Sequence, residues 1–272
     1  MGFFSKLSGV FSPKKRSLPY RVGLALGGGG ARGFIHLGAL QALTERGVHP
    51  EIIAGTSAGS IVGAFIASQR DPIETHKILK EKSLLGYSKI HWPKEGFFSL
   101  EGLRRTIERE IEYQNIEELP MPLLVTATNL NLGTTDHFAQ GKLADAVIAS
   151  SSIPFVFKPV QINGHKYADG GILQNLPVAP LVSLCEHIIA INISPVEETD
   201  DLNSLVKVAA RTFQLTVNAQ TKASERMCSL FIEPSGIRNF DIFDLKKADQ
   251  LFEMGYYHVT KMDDRLLEPF KD

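Results

Sequence analysis

Residues Gly55–Gly59 read Gly-Thr-Ser-Ala-Gly, a G-x-S-x-G pattern between two apolar segments. Residues 51–54 before it are partly β-branched and favour a strand, whereas residues 61–67 after it suit a buried helix. At a sharp turn from strand to helix, flanking glycines let the two backbones approach closely and leave the serine hydroxyl exposed. The pattern therefore predicts a nucleophilic Ser57 at the start of a helix, whose N-terminus also favours a negatively charged intermediate.

A second turn from strand to helix lies upstream and is rich in glycine. Residues 21–26 read as a strand, residues 27–30 are all glycine, and a helical pattern begins at residue 34. Glycines leave their backbone N–H groups unshielded, and at such a turn several of them point to one place and bind negative charge. That charge is either a phosphate or the oxyanion of an acyl-transfer intermediate.

The phosphate alternative corresponds to a dinucleotide-binding loop. Gly28, Gly30 and Gly33 satisfy the pattern G-x-G-x-x-G, which requires an acidic residue at the end of the second strand, about 20 residues further on. Here the second predicted strand ends in the serine turn, and Glu51 lies at its start. A non-enzymatic nucleotide-binding protein that uses the glycine loop alone stays an alternative, but it leaves the serine turn unexplained.

A third segment carries a carboxylate. Residues 160–168 resemble a hairpin around an Asn-Gly turn, and Asp169, Gly170 and Gly171 follow it. An aspartate before two glycines at the end of a strand can bring its carboxylate close to another loop. Taken alone, however, this sequence is more typical of an ordinary Asp-Gly turn.

Together the three segments resemble the patatin-like phospholipase family. Four blocks follow the family's order: the glycine-rich loop at 28–33, the nucleophile turn at 55–59, an Ala-Ser…Pro…Phe-x-Pro block at 149–159, and the Asp-Gly motif at 169–171. The chain's size is similar to that of bacterial single-domain members. The resemblance implies a three-layer α/β/α fold with a mainly parallel central sheet. It also implies a hydrolase of fatty-acyl esters, of the phospholipase, lysophospholipase or carboxylesterase type, without a cofactor or metal.

Carried over to this chain, the resemblance implies a catalytic dyad of Ser57 and Asp169 with no histidine. A carboxylate is normally too weak a base for a serine hydroxyl, but burial raises its pKa. The resemblance further implies an acyl-serine intermediate and an oxyanion hole built from the amides of three glycines, Gly28, Gly29 and Gly30. Arg32 follows these glycines and is a candidate to attract an anionic head group; a helix-face arginine paired with an acid is the alternative.

Two other enzyme classes share the serine turn. An α/β-hydrolase would add a histidine to the serine and the acid, and His165, His187 or His258 would have to serve. The usual order of serine, acid and histidine favours His187, but that residue begins an apolar segment typical of a buried strand. An acyltransferase of related fold usually places histidine directly before the serine, where this chain has Thr56.

Composition limits the remaining possibilities. The chain has 272 residues, of which 43% are hydrophobic and 22% charged, and its formal net charge is −1. These values are typical of a globular protein and give no general affinity for nucleic acid. Two cysteines, Cys185 and Cys228, predict no disulfide framework and fit a reducing cytosol. Because neither a secretory signal nor an apolar membrane span is evident, we expect a cytoplasmic protein.

Alternating strand and helix patterns predict one catalytic domain over residues 21–272, built on a mainly parallel sheet with helices on both faces. Strands are predicted at 21–27, 51–54, 122–129, 134–138, 160–168, 187–193 and 229–233. Helices are predicted at 31–46, 57–68, 72–84, 100–112, 142–149, 176–185, 202–226 and 244–267. Residues 86–96 are predicted to form a loop or lid.

Residues 1–20 differ from the rest of the chain. They contain four basic residues and no acidic one, and Phe4, Leu7 and Phe11 recur at helical spacing. A helix here would be apolar on one side and basic at its end, which suits the surface of an anionic bilayer. We therefore expect peripheral contact with the inner membrane surface, with a disordered or docked tail as the alternative. The oligomeric state is not indicated by the sequence.

Overall fold

One eight-stranded sheet organises the residues that the computed structural model describes: 18–87, 100–154, 156–195, 202–203, 208, 211–212, 215–217, 220–242 and 244–271. The predicted tail, apart from residues 18–20, and most of the predicted lid lie outside these residues. The strands are β1 Tyr20–Leu26, β2 Ile52–Thr56, β3 Leu123–Asn129, β4 Thr134–Phe138, β5 Val160–Ile162, β6 His165–Asp169, β7 Cys185–Ile191 and β8 Leu230–Ile232.

Helices flank the sheet on both faces. In the described part of the chain they are α1 Phe34–Glu45, α2 Ala58–Ala67, α3 Pro72–Tyr87, α4 Leu100–Glu110, α5 Leu143–Ser150, α6 Thr221–Glu225, α7 Ala248–Thr260 and α8 Asp264–Leu267. None of these described helices combines the length and apolar character that crossing a membrane requires.

The sheet is mixed, and its larger part is parallel. Strands β8, β7, β1, β2 and β3 pair in parallel in that order, and β4, β6 and β5 add antiparallel pairs at the β3 side. A parallel strand is covered on both faces, and all five residues of β2 are accordingly buried. The prediction of an α/β fold with a mainly parallel central sheet is confirmed.

The core lies on both faces of the sheet. Along β1, Leu24 and Leu26 belong to one buried cluster, whereas Ala25 between them belongs to a second cluster. Successive side chains of a strand point to opposite faces, so the two clusters lie on either side of the sheet. In the first cluster, α1 and α7 cross very closely. Glycine at positions 38 and 255 permits this, since a Cβ at Gly38 or at Gly255 would clash with the backbone of the other helix.

Three predicted elements differ in the structure. The predicted helix at 176–185 is only a 3-10 turn over Ala179–Leu181, because Pro177 and Pro180 lack the N–H groups that a helix needs. The predicted helix at 244–267 is divided into α7 and α8, and the side chain of Asp263 caps the second piece. Of the predicted helix at 202–226, α6 is described, together with isolated helical residues; the remainder lies outside the described residues.

Residues 160–168, predicted as a hairpin, form the short antiparallel pair β5 and β6. Asn163 and Gly164 connect the two strands, and both have positive φ, 49° and 83°. These are the backbone angles that a two-residue hairpin turn requires, and the Asn-Gly pair is its commonest sequence. The hairpin therefore delivers Asp169 at the end of β6.

Candidate active site

Ser57 lies at the turn between β2 and α2 with a strained backbone, φ 52° and ψ −121°. The turn is tight, since a Cβ at Gly55 would come 2.5 Å from the carbonyl oxygen of Gly59. The N–H of Ser57 donates to the hydroxyl of Ser150 at 2.8 Å, and that hydroxyl donates to the carbonyl of Thr126 at 2.6 Å. The flanking backbone and this hydrogen-bond chain hold a conformation that a serine rarely adopts on its own.

Asp169 reaches Ser57 because two strands share one edge of β3. Thr126 pairs with β2 and with β4, whereas the next residue, Ala127, pairs with β4 and with β6. A strand has only two edges, so β6 occupies the same edge as β2 and begins to pair where β2 stops. The last residue of β6, Asp169, is therefore placed against the turn that follows Thr56.

The carboxylate of Asp169 is buried, with 2% of the residue exposed. It accepts a hydrogen bond from the backbone N–H of Gly171 at 2.7 Å, and the side chain of Ser57 lies close enough to lower its pKa. Burial raises the pKa of Asp169 to about 6, and Ser57 and the N–H of Gly171 oppose that rise. The structure thus brings together the two residues that the sequence motifs place 112 positions apart.

The glycine loop lies against the same turn. A Cβ at Gly28 would come 3.0 Å from the Cβ of Ser57, so only glycine permits this approach. The N–H of Gly28 donates to the carbonyl of Asn175 at 3.2 Å, which differs from the prediction that it serves an oxyanion. Among the described residues, no acceptor meets the N–H of Gly29 or of Gly30, and Gly30 has a positive φ of 58°.

Arg32 differs from its predicted position at a lipid head group. Only 5% of the residue is exposed, and its guanidinium donates to two backbone carbonyls, that of Phe240 at 2.9 Å and that of Ile193 at 3.5 Å. The side chain therefore ties the glycine loop to two neighbouring segments. This geometry favours a structural contribution, since a buried cation with these partners does not face a substrate.

An apolar cavity opens at Ser57. Its walls come from the glycine loop, α1, α2, α3, α4 and the segment after α5, and they include Phe34, Ile61, Val62, Leu79, Leu103, Ile153 and Phe157. The lining combines small residues such as Gly30, Ala31 and Ala58 with these large aliphatic and aromatic ones. Such a cavity fits a hydrocarbon chain and offers few partners to a nucleotide.

The family model for patatin-like phospholipase matches residues 24–182, which include the serine turn, the glycine loop and Asp169. This chain belongs to the patatin-like phospholipase family. An NTE family protein of Mycobacterium tuberculosis is 39% identical over 166 residues, which are 60% of this chain and 46% of that protein. Lysophospholipase NTE1 of Kluyveromyces lactis is 27% identical over 268 residues, 86% of this chain and 18% of that protein.

A mouse protein, patatin-like phospholipase domain-containing protein 6, is 28% identical and overlaps 87% of this chain but 20% of its own length. The chain thus spans less than half the length of these curated relatives. Among solved structures, VipD from Legionella pneumophila is similar over 93% of this chain and 67% of its own, with a TM-score of 0.51 and 15% identity. This similarity confirms the fold.

In this patatin-like chain, the histidines considered for a triad lie away from the dyad. His165 lies in the β5–β6 hairpin, and its Nδ1 is 3.0 Å from Nδ2 of Asn129 on β3. His187 lies near the start of β7 and packs edge-on against the ring of Phe270. Because Ser57 follows the end of β2, which runs parallel to β7, His187 lies toward the opposite end of the sheet. His258 lies on α7. In the described residues, no histidine hydrogen-bonds to Ser57 or Asp169.

Three residues that hold the glycine loop were missed by sequence reasoning. His36 on α1 is fully buried, and its Nε2 donates to the carbonyl of Gly27 at 2.8 Å. Burial lowers the pKa of His36 to about 4, so the ring stays neutral. Asn175 and Ser194 contact the carbonyl of Gly28. A lone histidine in an apolar helix and two polar residues outside any motif carry no sequence signal for this role.

Proposed function

We propose that this patatin-like chain hydrolyses fatty-acyl esters through a dyad of Ser57 and Asp169. The observation that carries the proposal is the proximity of the Ser57 side chain to a buried carboxylate of raised pKa. Ser57 also lines an apolar cavity. A carboxylate with a pKa near 6 is largely unprotonated at neutral pH and is a stronger base than an exposed aspartate.

In the first step, the Oγ of Ser57 forms a bond to the ester carbonyl carbon while its proton passes to Asp169. The carbonyl electron pair moves to the oxygen, and the N–H groups of Gly29 and Gly30 donate to the resulting oxyanion. The intermediate then expels the alkoxide, which takes the proton from Asp169, and leaves an acyl-serine. In the second step, water attacks the acyl carbon and gives its proton to Asp169, and Ser57 leaves with that proton.

For the substrate, we propose a phospholipid, a lysophospholipid or a simpler carboxylic ester with a long acyl chain. The aliphatic and aromatic cavity wall supports an acyl chain as the group that binds there. The fungal relatives named lysophospholipase support the same class, although this chain spans only 18% of the Kluyveromyces lactis protein. No cofactor is needed in this mechanism, because Ser57, Asp169 and the attacking water carry out every proton transfer and the loop amides hydrogen-bond to the oxyanion.

We further propose that residues 21–272 form one catalytic domain and that residues 1–20 contact anionic membrane surfaces. The support for the second proposal is the sequence of residues 1–20, which combines four basic residues with apolar residues at helical spacing. A cytoplasmic location at the inner membrane surface would place the cavity close to lipid substrates.

The test is ester hydrolysis by purified variants. Ser57→Ala should lose essentially all turnover, and Asp169→Asn should lose a similar share, because members of one catalytic unit are not additive. Replacement of His165, His187 or His258 by glutamine should preserve most of the activity, after correction for stability. A histidine variant as inactive as Ser57→Ala, beside an active Asp169→Asn, would support the triad instead.

A further inference from the structure

The carbonyl oxygen of Gly28 is held by two buried side chains from different segments. The hydroxyl of Ser194 donates to it at 2.7 Å, and the side-chain amide of Asn175 donates to it at 3.3 Å. Both residues are buried, with 6% and 3% exposed. In the described residues, neither side chain hydrogen-bonds to Ser57 or to Asp169.

Holding that carbonyl also fixes the next amide. The described chain contains no cis peptide, and in a planar trans peptide the carbonyl of one residue and the N–H of the next point in opposite directions. The Gly28 oxygen faces Ser194 and Asn175, so the N–H of Gly29 points away from them. Glycine imposes little preference on the rotation of this peptide, and the orientation therefore depends on the two side chains.

The neighbouring peptide is held in a similar way. The carbonyl of Gly27 accepts from His36, and the N–H of Gly28 donates to the backbone carbonyl of Asn175 at 3.2 Å. Thus Asn175 contacts Gly28 twice, once through its backbone and once through its side chain. The peptide between Gly27 and Gly28 is therefore held at both ends, and the peptide between Gly28 and Gly29 is held at its carbonyl.

Resting on the proposed function, we propose that Ser194 and Asn175 are positioning residues that clamp the Gly28 carbonyl and so direct the Gly29 amide at the oxyanion. Ser194 follows the end of β7, and Asn175 lies six residues after Asp169 in the same loop. One short segment therefore supplies the general base and part of the clamp. This shared backbone fixes the position of the catalytic base relative to that of the oxyanion donor.

The clamp acts mainly on the transition state. The oxyanion carries its full charge only after attack, so an amide already directed at it stabilises that state more than the bound ester. A peptide that rotates freely would have to be reoriented during the reaction. Loss of the clamp should therefore lower kcat and leave KM nearly unchanged.

The experiment compares wild type with Ser194→Ala, which removes one donor, and Asn175→Asp, which keeps the shape but replaces the donor by an acceptor. Ser68→Ala is the matched control, since its hydroxyl also donates to a backbone carbonyl, that of Phe65, at 2.7 Å but at the far end of α2. For each protein, kcat and KM are measured with a soluble short-chain ester. Inhibition by a trifluoromethyl ketone, which forms an oxyanion with Ser57, is compared with inhibition by the corresponding alcohol, and thermal unfolding reports the fold.

We expect Ser194→Ala and Asn175→Asp to lower kcat about 10- to 100-fold and to weaken the ketone by a similar factor, since a lost oxyanion donor costs about 100-fold or more. KM, inhibition by the alcohol and the behaviour of Ser68→Ala should change little. Wild-type values in both variants, in an assay where Ser57→Ala is inactive, would overturn the clamp and leave the dyad standing. An inactive wild type that also fails to bind the ketone would overturn the proposed function and the clamp with it.

Discussion

At the scale of single residues, the chemistry depends on where Asp169 is buried. Its carboxylate lies at the end of β6, accepts a hydrogen bond from the N–H of Gly171 and lies close to Ser57, and burial raises its pKa to about 6. Only the unprotonated form can accept the proton of Ser57. We therefore expect kcat/KM for a soluble ester to rise with pH, to reach half of its plateau near pH 6, and to stay level toward pH 8. A profile that is flat from pH 5 to pH 8 would contradict this assignment of the base.

The same pKa has a consequence for stability. The pKa of Asp169 is about 6 in the folded protein, against 3.8 for an unperturbed aspartate, so folding favours the protonated form. The contribution of Asp169 to the free energy of unfolding is then highest below about pH 4, falls as the pH rises to about 6, and stays low above it. Asp169→Asn removes this loss and should stabilise the protein at pH 7.5 by up to about 3 kcal/mol, since one pKa unit is about 1.4 kcal/mol.

Denaturant unfolding at pH 4.5 and pH 7.5 checks this prediction, with Asp136→Asn as the contrasting variant. Partial burial of Asp136 acts to raise its pKa, but hydrogen bonds from Asn129, Tyr167 and Thr134 outweigh it and leave the pKa lowered. Folding therefore favours the ionised form of Asp136, and its replacement should destabilise the protein at pH 7.5. Equal losses of stability in both variants at pH 7.5 would show that burial does not disfavour the ionised form of Asp169.

The serine motif pointed to Ser57, and the family resemblance pointed to Asp169; glycines beside both residues allow neighbouring backbone to approach closely. The partners of the glycine loop could not be identified in this way. Asn175 and Ser194 act through their position in the folded chain, and their neighbours in sequence do not mark them. The prediction for the Gly28 amide failed for the same reason, because its acceptor is the backbone carbonyl of Asn175 and a carbonyl has no sequence signature.

At the scale of elements, the central parallel strands were predictable and their antiparallel neighbours less so. Continuous apolar runs indicate β1, β2 and β7, which are buried on both faces. The replacement of β2 by β6 along one edge of β3 depends on pairings between distant strands, which periodicity does not encode. That replacement joins Ser57 to Asp169, so the central contact of the site was implied by family resemblance and not by secondary structure.

Helix α4 forms one wall of the cavity and offers a test of acyl-chain binding. Thr106 lies on the cavity side of α4, and Thr106→Phe should fill space that a long chain needs. We expect kcat/KM for a dodecanoyl ester to fall about tenfold relative to that for a butanoyl ester, a typical effect of a few methylene groups in an apolar pocket. Glu108→Phe, on the exposed side of the same helix, is the control. An unchanged ratio in Thr106→Phe would place the acyl chain elsewhere.

At the scale of the whole molecule, residues 1–20 are proposed to hold the catalytic domain at a membrane. Removal of residues 1–18 should leave hydrolysis of a soluble short-chain ester nearly unchanged, because no residue of the site is lost. Binding to anionic vesicles should weaken, and the loss should be smaller at moderate salt, since each basic residue near such a surface contributes about 1 kcal/mol. Vesicle co-sedimentation of the two proteins at low and moderate salt measures this effect. Equal vesicle binding by the full-length and truncated proteins would show that the tail makes no contact with the membrane.

The central claim is that Ser57 is the nucleophile and that Asp169 activates it. The most direct measurement is reaction of the purified full-length chain with a fluorophosphonate probe, followed by mass-spectrometric mapping of the modified residue. We predict one modification, on Ser57, its absence in Ser57→Ala, and a much slower reaction in Asp169→Asn at the same pH. Modification at another serine, or none in a wild-type protein that hydrolyses esters, would contradict the account.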